Sequence, residues 1–220
     1  MKQINFEKFS LILLVLFVLV CSCKNEQAQK YQYNIDRTDS INVLIKQVSL
    51  AENTYEKKQL ILSNAYNLSS KIADDSLRAK YLFEILMSYY GLEDYRSFNK
   101  LNQEYLHLGI KLGDTLKIAD FHWNKASYFV RLEVLESAYI YYDNAQKLFK
   151  KIGHKYFAAK MQYNMSYVLR RIKDYTRSEI YAIKAIENLQ GLDKKLLLYR
   201  CYNHLGLLFN DLKQYEKSIS

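Results

Sequence analysis

Written in lines of forty, residues 39–220 align with themselves without a gap, and this period constrains the fold more than any other feature of the chain. One column reads Tyr55, Tyr95, Leu135, Tyr175, Tyr215, and a second reads Ala65, Tyr105, Ala145, Ala185. Three more run through Ile72, Leu112, Ile152, Leu192, through Ala79, Ala119, Ala159, Tyr199, and through Leu92, Leu132, Ile172, Leu212. Columns that hold their apolar character in register predict a solenoid, because a unit of 20 to 50 residues buries its apolar face only against its neighbours.

Within a line the spacing is helical. Phe121, Ala126, Phe129 and Leu132 mark one helix, and Leu135, Ala138, Tyr142, Ala145 and Leu148 mark the next, in steps of about three and four. The breaks inside lines, at Glu133-Val134, Lys173-Asp174 and Lys213-Gln214, are short enough to force antiparallel packing. Between lines, Asp74-Asp75-Ser76, Gly113-Asp114-Thr115 and Gly153-His154 combine glycines that end a helix with acids or hydroxyls that cap the next. Proline is absent and glycine scarce, which excludes a turn-rich β chain. Most of the 21 tyrosines stand at helical spacing among aliphatic residues, as suits seams where the ring is buried and the hydroxyl stays wet. The Tyr175 column is read as such a seam, with truncation to alanine expected to cost about 3 kcal/mol.

These units resemble tetratricopeptide repeats. The first helix of that family carries a small residue near its middle, matched by Ala126, Ser166 and Gly206, and a large apolar residue three later, matched by Phe129, Leu169 and Phe209. Its second helix carries small residues at the crossing points, matched by Ala138 and Ala145, by Ser178, Ala182 and Ala185, and by Ser218. The resemblance covers roughly Leu77 to the end, with a degenerate unit from Ile41 to Ala73, and implies an all-α, right-handed solenoid of antiparallel helix pairs. The period departs from the usual thirty-four by about three residues per helix. The second unit is bulky at the small positions, with Leu86, Phe98 and Tyr105, and is expected to hold its helices further apart. The longer repeat resembles those of bacterial sensor and regulator proteins. Ser220 falls inside the second helix of the last unit, so the natural product is expected to continue beyond it.

The N-terminus reads differently. Met1–Ser10 is polar with Lys2 and Lys8, and Leu11–Val20 is an unbroken apolar run, short for a membrane span. A basic start, a short greasy core and small residues describe a secretory signal. Val20-Cys21-Ser22-Cys23 resembles the lipobox of bacterial lipoproteins, which implies cleavage after Ser22 and lipidation of Cys23, although Cys21 offers a second thiol. The expected organisation is a signal peptide at 1–22, a lipidated tether at 23–38 and the repeat domain at 39–220, with the protein anchored in the bacterial envelope and facing outside the cytoplasm. The tether carries Ile35 as its sole aliphatic residue after Ala28 and cannot build a core. Asp39 or Ser40 is expected to cap the first helix. Removal of 1–22 leaves Cys23 and Cys201, and no disulfide framework within one chain.

Catalytic and metal-binding signals are lacking. The four histidines His107, His122, His154 and His204 are far apart and form no metal-ligand pair, so neither metal nor cofactor is expected. No phosphate loop and no nucleophile beside a base is found, so an enzyme is not expected. The formal charge of +9 is dispersed along helix faces among acidic residues, whereas a nucleic-acid footprint gathers its charge on one face.

What the resemblance implies is a groove lined by the first helices. Its residues are Lys80, Phe83, Glu84 and Met87; Asp120, Trp123, Asn124 and Ser127; Lys160, Tyr163, Asn164 and Tyr167; and Arg200, Asn203, His204 and Leu207. Aromatic rings supply apolar area, and the amides and cations supply donors to a peptide backbone or carboxylate. Asn124 with Lys160, and Asn164 with Arg200, resemble the family's clamp for a C-terminal carboxylate; the alternative is that these asparagines bond between helices. The expected function is a membrane-anchored scaffold that binds a protein or peptide. The alternative is the sensory region of a bacterial signal-transduction protein, a histidine kinase or transcriptional regulator.

Overall fold

A computed structural model describes residues 38–50 and 54–213. The signal, lipidation and tether readings at 1–37, and the last helix expected from Tyr215, lie outside the described residues. All secondary structure among the described residues is helical. In chain order the helices are α1 (38–48), α2 (Tyr55–Ser69), α3 (Asp75–Gly91), α4 (Tyr95–Lys111), α5 (Thr115–Arg131), α6 (Leu135–Lys151), α7 (Lys155–Arg171), α8 (Tyr175–Leu189) and α9 (Lys195–Asp211). Residues 38–40 already belong to α1, so Asp39 and Ser40 sit in its first turn and do not precede it as caps. The chain divides into two compact units whose boundary, after Tyr81, falls inside α3. In the first, Ile41, Leu62, Ala65 and Ala79 are fully buried.

In the second unit each helix from α4 to α9 packs on its successor, and α7 also meets α9. This is an all-α solenoid of antiparallel helix pairs. One core gathers Ala126 of α5, Ala138, Tyr142, Ala145 and Phe149 of α6, and Met161, Met165 and Val168 of α7. A second gathers Ala159 of α7, Ala185 and Leu189 of α8, and Leu197 and Cys201 of α9. The small residues at the crossing points, Ala126, Ser166, Ala138, Ala145, Ser178, Ala182 and Ala185, are all buried, as close approach of two backbones requires. Leu86, Phe98 and Tyr105 are buried as well. Gly109 makes room between α4 and α5, where a Cβ would stand 3.0 Å from the Lys117 Cβ.

The structure halves the repeat. Helices of 17 residues are joined by turns of three, so the local geometry recurs every twenty residues. At each turn one residue is left-handed: Glu93, Gly113, Glu133, Gly153, Lys173 and Lys213 have φ between 58° and 74°. The amide after it bonds back five residues, as Asp94 N to Tyr89 O, Asp114 N to Gly109 O, Val134 N to Phe129 O, His154 N to Phe149 O and Asp174 N to Leu169 O. These are Schellman closures, and they satisfy the last carbonyls of one helix. The same residue then becomes the N-cap of the next helix. Asp94, Asp114 and Asp174 each accept the amide three residues on, at 3.0–3.1 Å. Asp74 caps α3 in the same way, through Leu77 N at 2.8 Å.

In two of the apolar columns, several members serve as helix caps and not as buried core. Leu112, Leu132, Ile152, Ile172 and Leu212 are helix C-caps, and Leu112, Leu132 and Ile152 stay exposed at the surface. Val134 occupies a cap position with backbone angles like those of Asp94 and Asp174 but offers no acceptor. Val134→Asp is expected to stabilise the fold by about 1 kcal/mol through a new bond from Ser137 N. A urea midpoint equal to that of wild type would count against this reading.

Candidate functional site

An open cleft of about 490 Å³ lies in the second unit. The residues of α3 that line it are Phe83, Met87 and Tyr90; α5 adds Trp123, Asn124 and Ser127; α7 adds Lys160 and Asn164; α9 adds Arg200. Repetition of the helix pair explains the convergence, since alternate helices present corresponding faces. Two further lining residues, Phe98 of α4 and Tyr142 of α6, come from second helices, whereas the expected lining came from first helices alone.

One wall of the cleft is aromatic. Tyr90 packs on Phe98 with ring centroids 5.0 Å apart, and its hydroxyl accepts a hydrogen bond from Arg131 Nε at 3.2 Å. Trp123, the sole tryptophan, stands 5.7 Å from Phe157 and 6.3 Å from Phe149, which anchors its ring to α6 and α7. Lys160 Nζ lies 4.4 Å from the Trp123 ring centroid, within range of a cation–π attraction. Burial, and then the Arg200 guanidinium, lower the pKa of this amine below the usual lysine value. Among the described residues no carboxylate pairs with Lys160 or Arg200, and no acidic residue lines the cleft. Two cations beside an aromatic wall, without a counter-charge of their own, give this side of the cleft a positive character.

The floor is polar and internally bonded. Asn124 is 7% exposed, and its Nδ2 donates to Asn102 Oδ1 at 3.0 Å. Asn102 Nδ2 in turn donates to the Phe121 carbonyl at 3.1 Å. The interhelical role considered for the asparagine thus belongs to the Nδ2 of Asn124. Ser127 Oγ donates to the Trp123 carbonyl at 3.1 Å and stands 3.5 Å from the buried Tyr142 hydroxyl, whose pKa burial pushes up to about 12.

Of the groove residues expected from the sequence, Trp123, Asn124, Lys160, Asn164 and Arg200 share this cleft. Tyr163, Tyr167 and Asn203 do not line it. The ring of Tyr163 meets His204 edge-on at 5.9 Å and that of Tyr167 lies 6.4 Å from it, where α7 and α9 pack; Asn203 is exposed on α9. Lys80 belongs to the first unit, with its Nζ 5.2 Å from the Tyr81 ring. His204, expected to face the groove, is buried at the meeting of α7, α8 and α9. Its Nε2 is 3.3 Å from Ser178 Oγ, beside a reciprocal pair in which Ser166 Oγ donates to the Ser178 carbonyl and Ser178 Oγ to the Ser166 carbonyl. Burial comes first in lowering its pKa, to about 4, and Arg170 adds to the effect. Asp120 also leaves the groove face: it is within 3.5 Å of the Tyr105 hydroxyl on α4, and burial pushes its pKa up to about 6. Among the described residues no group of three or more His, Cys, Asp or Glu is placed to hold a metal, and no helix is long and apolar enough to cross a membrane.

The fold and the cleft define a helical-repeat protein with an open, aromatic and cationic recess. No family model matches the chain, and no curated protein does. Among solved structures it is similar to BtubC (BKLC) from P. vanneervenii, at 16% identity over 87% of this chain and 86% of that one, with a TM-score of 0.68. A likeness at that identity is one of fold.

Proposed function

We propose that the protein is a scaffold of the tetratricopeptide type that binds a segment of another protein, or a free peptide, in the cleft between α3 and α9, and that a lipid on Cys23 holds it to the bacterial envelope, facing outside the cytoplasm. The observation that carries the binding reading is the meeting of Lys160 and Arg200 with Trp123 in one recess lined by no acidic residue. An open, half-apolar cleft with a few convergent polar groups suits an extended chain better than a small molecule, which is usually enclosed. No catalytic role is assigned to it, because none of the polar groups that line it pairs a nucleophile with a base. The anchor reading rests on the Val20–Cys23 sequence.

Trp123 is the natural reporter. Titration of the 220-residue chain with acidic, neutral and basic octapeptide pools is expected to quench or shift its fluorescence with the acidic pool alone. Lys160→Ala and Arg200→Ala are each expected to weaken that binding about ten-fold, the loss of one charge-assisted contact. Equal responses to the three pools, unchanged in both variants, would remove the cleft as a binding site. Labelled fatty acid is expected on the wild-type chain and absent from Cys23→Ala; label retained by that variant would overturn Cys23 as the modified residue, and a wild-type chain without label would overturn the anchor.

A further inference from the structure

The Phe121 carbonyl, Asn102 and Asn124 form a relay whose direction is set at its buried end. A carbonyl oxygen only accepts, so the Asn102 group facing Phe121 is Nδ2, and the group left to face Asn124 is Oδ1. Asn124 must then turn its Nδ2 toward Asn102. Asn102 is fully buried on α4 and has no route to the cleft, yet it determines which end of the Asn124 amide the cleft sees. The Asn124 Oδ1 has no hydrogen-bond partner among the described residues, and it is not sealed from solvent.

We propose that Asn102 is a positioning residue for the cleft: it holds Asn124 with its carbonyl oxygen toward the ligand, so that this point of the floor reads a hydrogen-bond donor, the main-chain N–H of a bound peptide. Lys160 and Arg200, beside it, take the anionic group. The inference rests on the peptide-binding reading and divides the cleft chemically. A carboxylate oxygen set against Asn124 would meet another acceptor and be repelled, so the anion is confined to the cationic side and the peptide runs past Asn124 by its backbone. Were the relay reversed, the same side chain would offer a donor, and the preference would invert.

The test uses the 220-residue chain and an octapeptide selected on it from a random displayed library, read by Trp123 fluorescence. Each backbone nitrogen of that peptide is methylated in turn. In wild type, methylation at one position is expected to weaken binding about ten-fold, as the loss of one buried hydrogen bond. In Asn102→Leu, where Asn124 is free to turn, the same methylation is expected to cost less than about three-fold, although the parent peptide still binds. An equal methylation penalty in wild type and Asn102→Leu would overturn the inference while leaving peptide binding intact. Failure to select any peptide that perturbs Trp123 would overturn both. Should circular dichroism show Asn102→Leu unfolded, Asn102→Ala, which also removes the partner and leaves Asn124 in place, carries the same comparison. A ligand-free readout is independent of the library: the Asn124 side-chain amide protons are expected to exchange with solvent about ten-fold faster in Asn102→Leu, and exchange equal to wild type would also sink the proposal.

Discussion

Phe149→Ala is expected to destabilise the protein by about 3–5 kcal/mol, the range for truncating a fully buried aromatic. Phe149 has no exposed surface and stands at the centre of a ring cluster, 5.2 Å from Phe157, 6.3 Å from His154 and 6.3 Å from Trp123. It joins α6 to α5 and α7, so the void left by its removal is lined by three helices that cannot all collapse into it. Urea unfolding followed by circular dichroism measures the effect, and a loss below about 1 kcal/mol would show that the cluster relaxes. Because Trp123 leans on Phe149, the same variant is also expected to loosen the aromatic wall of the cleft. Tyr175, by contrast, is only half-buried and has no aromatic neighbour among the described residues. The cost of about 3 kcal/mol expected for its truncation therefore falls to about 1 kcal/mol.

His204→Leu is expected to remove one destabilising contribution on acidification, that of charging a buried imidazole. The folded-state pKa of His204, about 4, lies below that of an unfolded histidine, so the folded state favours the neutral ring. Its contribution is fully present above about pH 6.5 and is lost as pH falls toward 4, amounting to about 3 kcal/mol. Asp120 acts with the opposite sign. Its carboxyl is pushed up to about 6, so ionisation opposes folding at neutral pH, and the penalty fades as pH falls from 6 toward 4. In the wild-type chain the two slopes offset one another over the same window. Asp120→Asn is expected to stabilise the protein at pH 7 by about 2 kcal/mol and to leave it little changed at pH 4. Urea midpoints measured from pH 4 to 7 separate the cases: as pH falls, His204→Leu should gain stability relative to wild type, and Asp120→Asn should lose it relative to wild type. Parallel profiles for all three proteins would show that neither group titrates as its burial implies.

How much of this was legible in the sequence differs from residue to residue. The helices followed from apolar spacing, because helical periodicity is a local property of the chain, and their antiparallel pairing from the short breaks; the small crossing residues followed from the resemblance to tetratricopeptide repeats. The twenty-residue turn was hidden. Glycine marks the left-handed position at Gly113 and Gly153, but Glu93, Glu133, Lys173 and Lys213 fill the equivalent places, and nothing in their composition announces a positive φ. The columns also misled where position and packing part company. Ala79, Ala119 and Ala159 are buried without remainder, whereas Tyr199, next in the same column, is 69% exposed.

The sequence by itself determined that this chain is a stack of paired helices, and which face of each helix is apolar, since both depend on residues a few positions apart. The family resemblance added that Trp123, Asn124, Lys160, Asn164 and Arg200 stand on corresponding faces of successive first helices. Only the tertiary structure decided that Phe98 and Tyr142 join them from second helices, that His204 and Asp120 leave the groove for buried seams, and that Asn124 turns its nitrogen to Asn102. Those outcomes depend on which groups meet across 15 to 26 residues of chain, as between Tyr105 and Asp120 or Ser178 and His204. Burial and hydrogen-bond direction at such meetings are set by the neighbour, and the neighbour is set by packing.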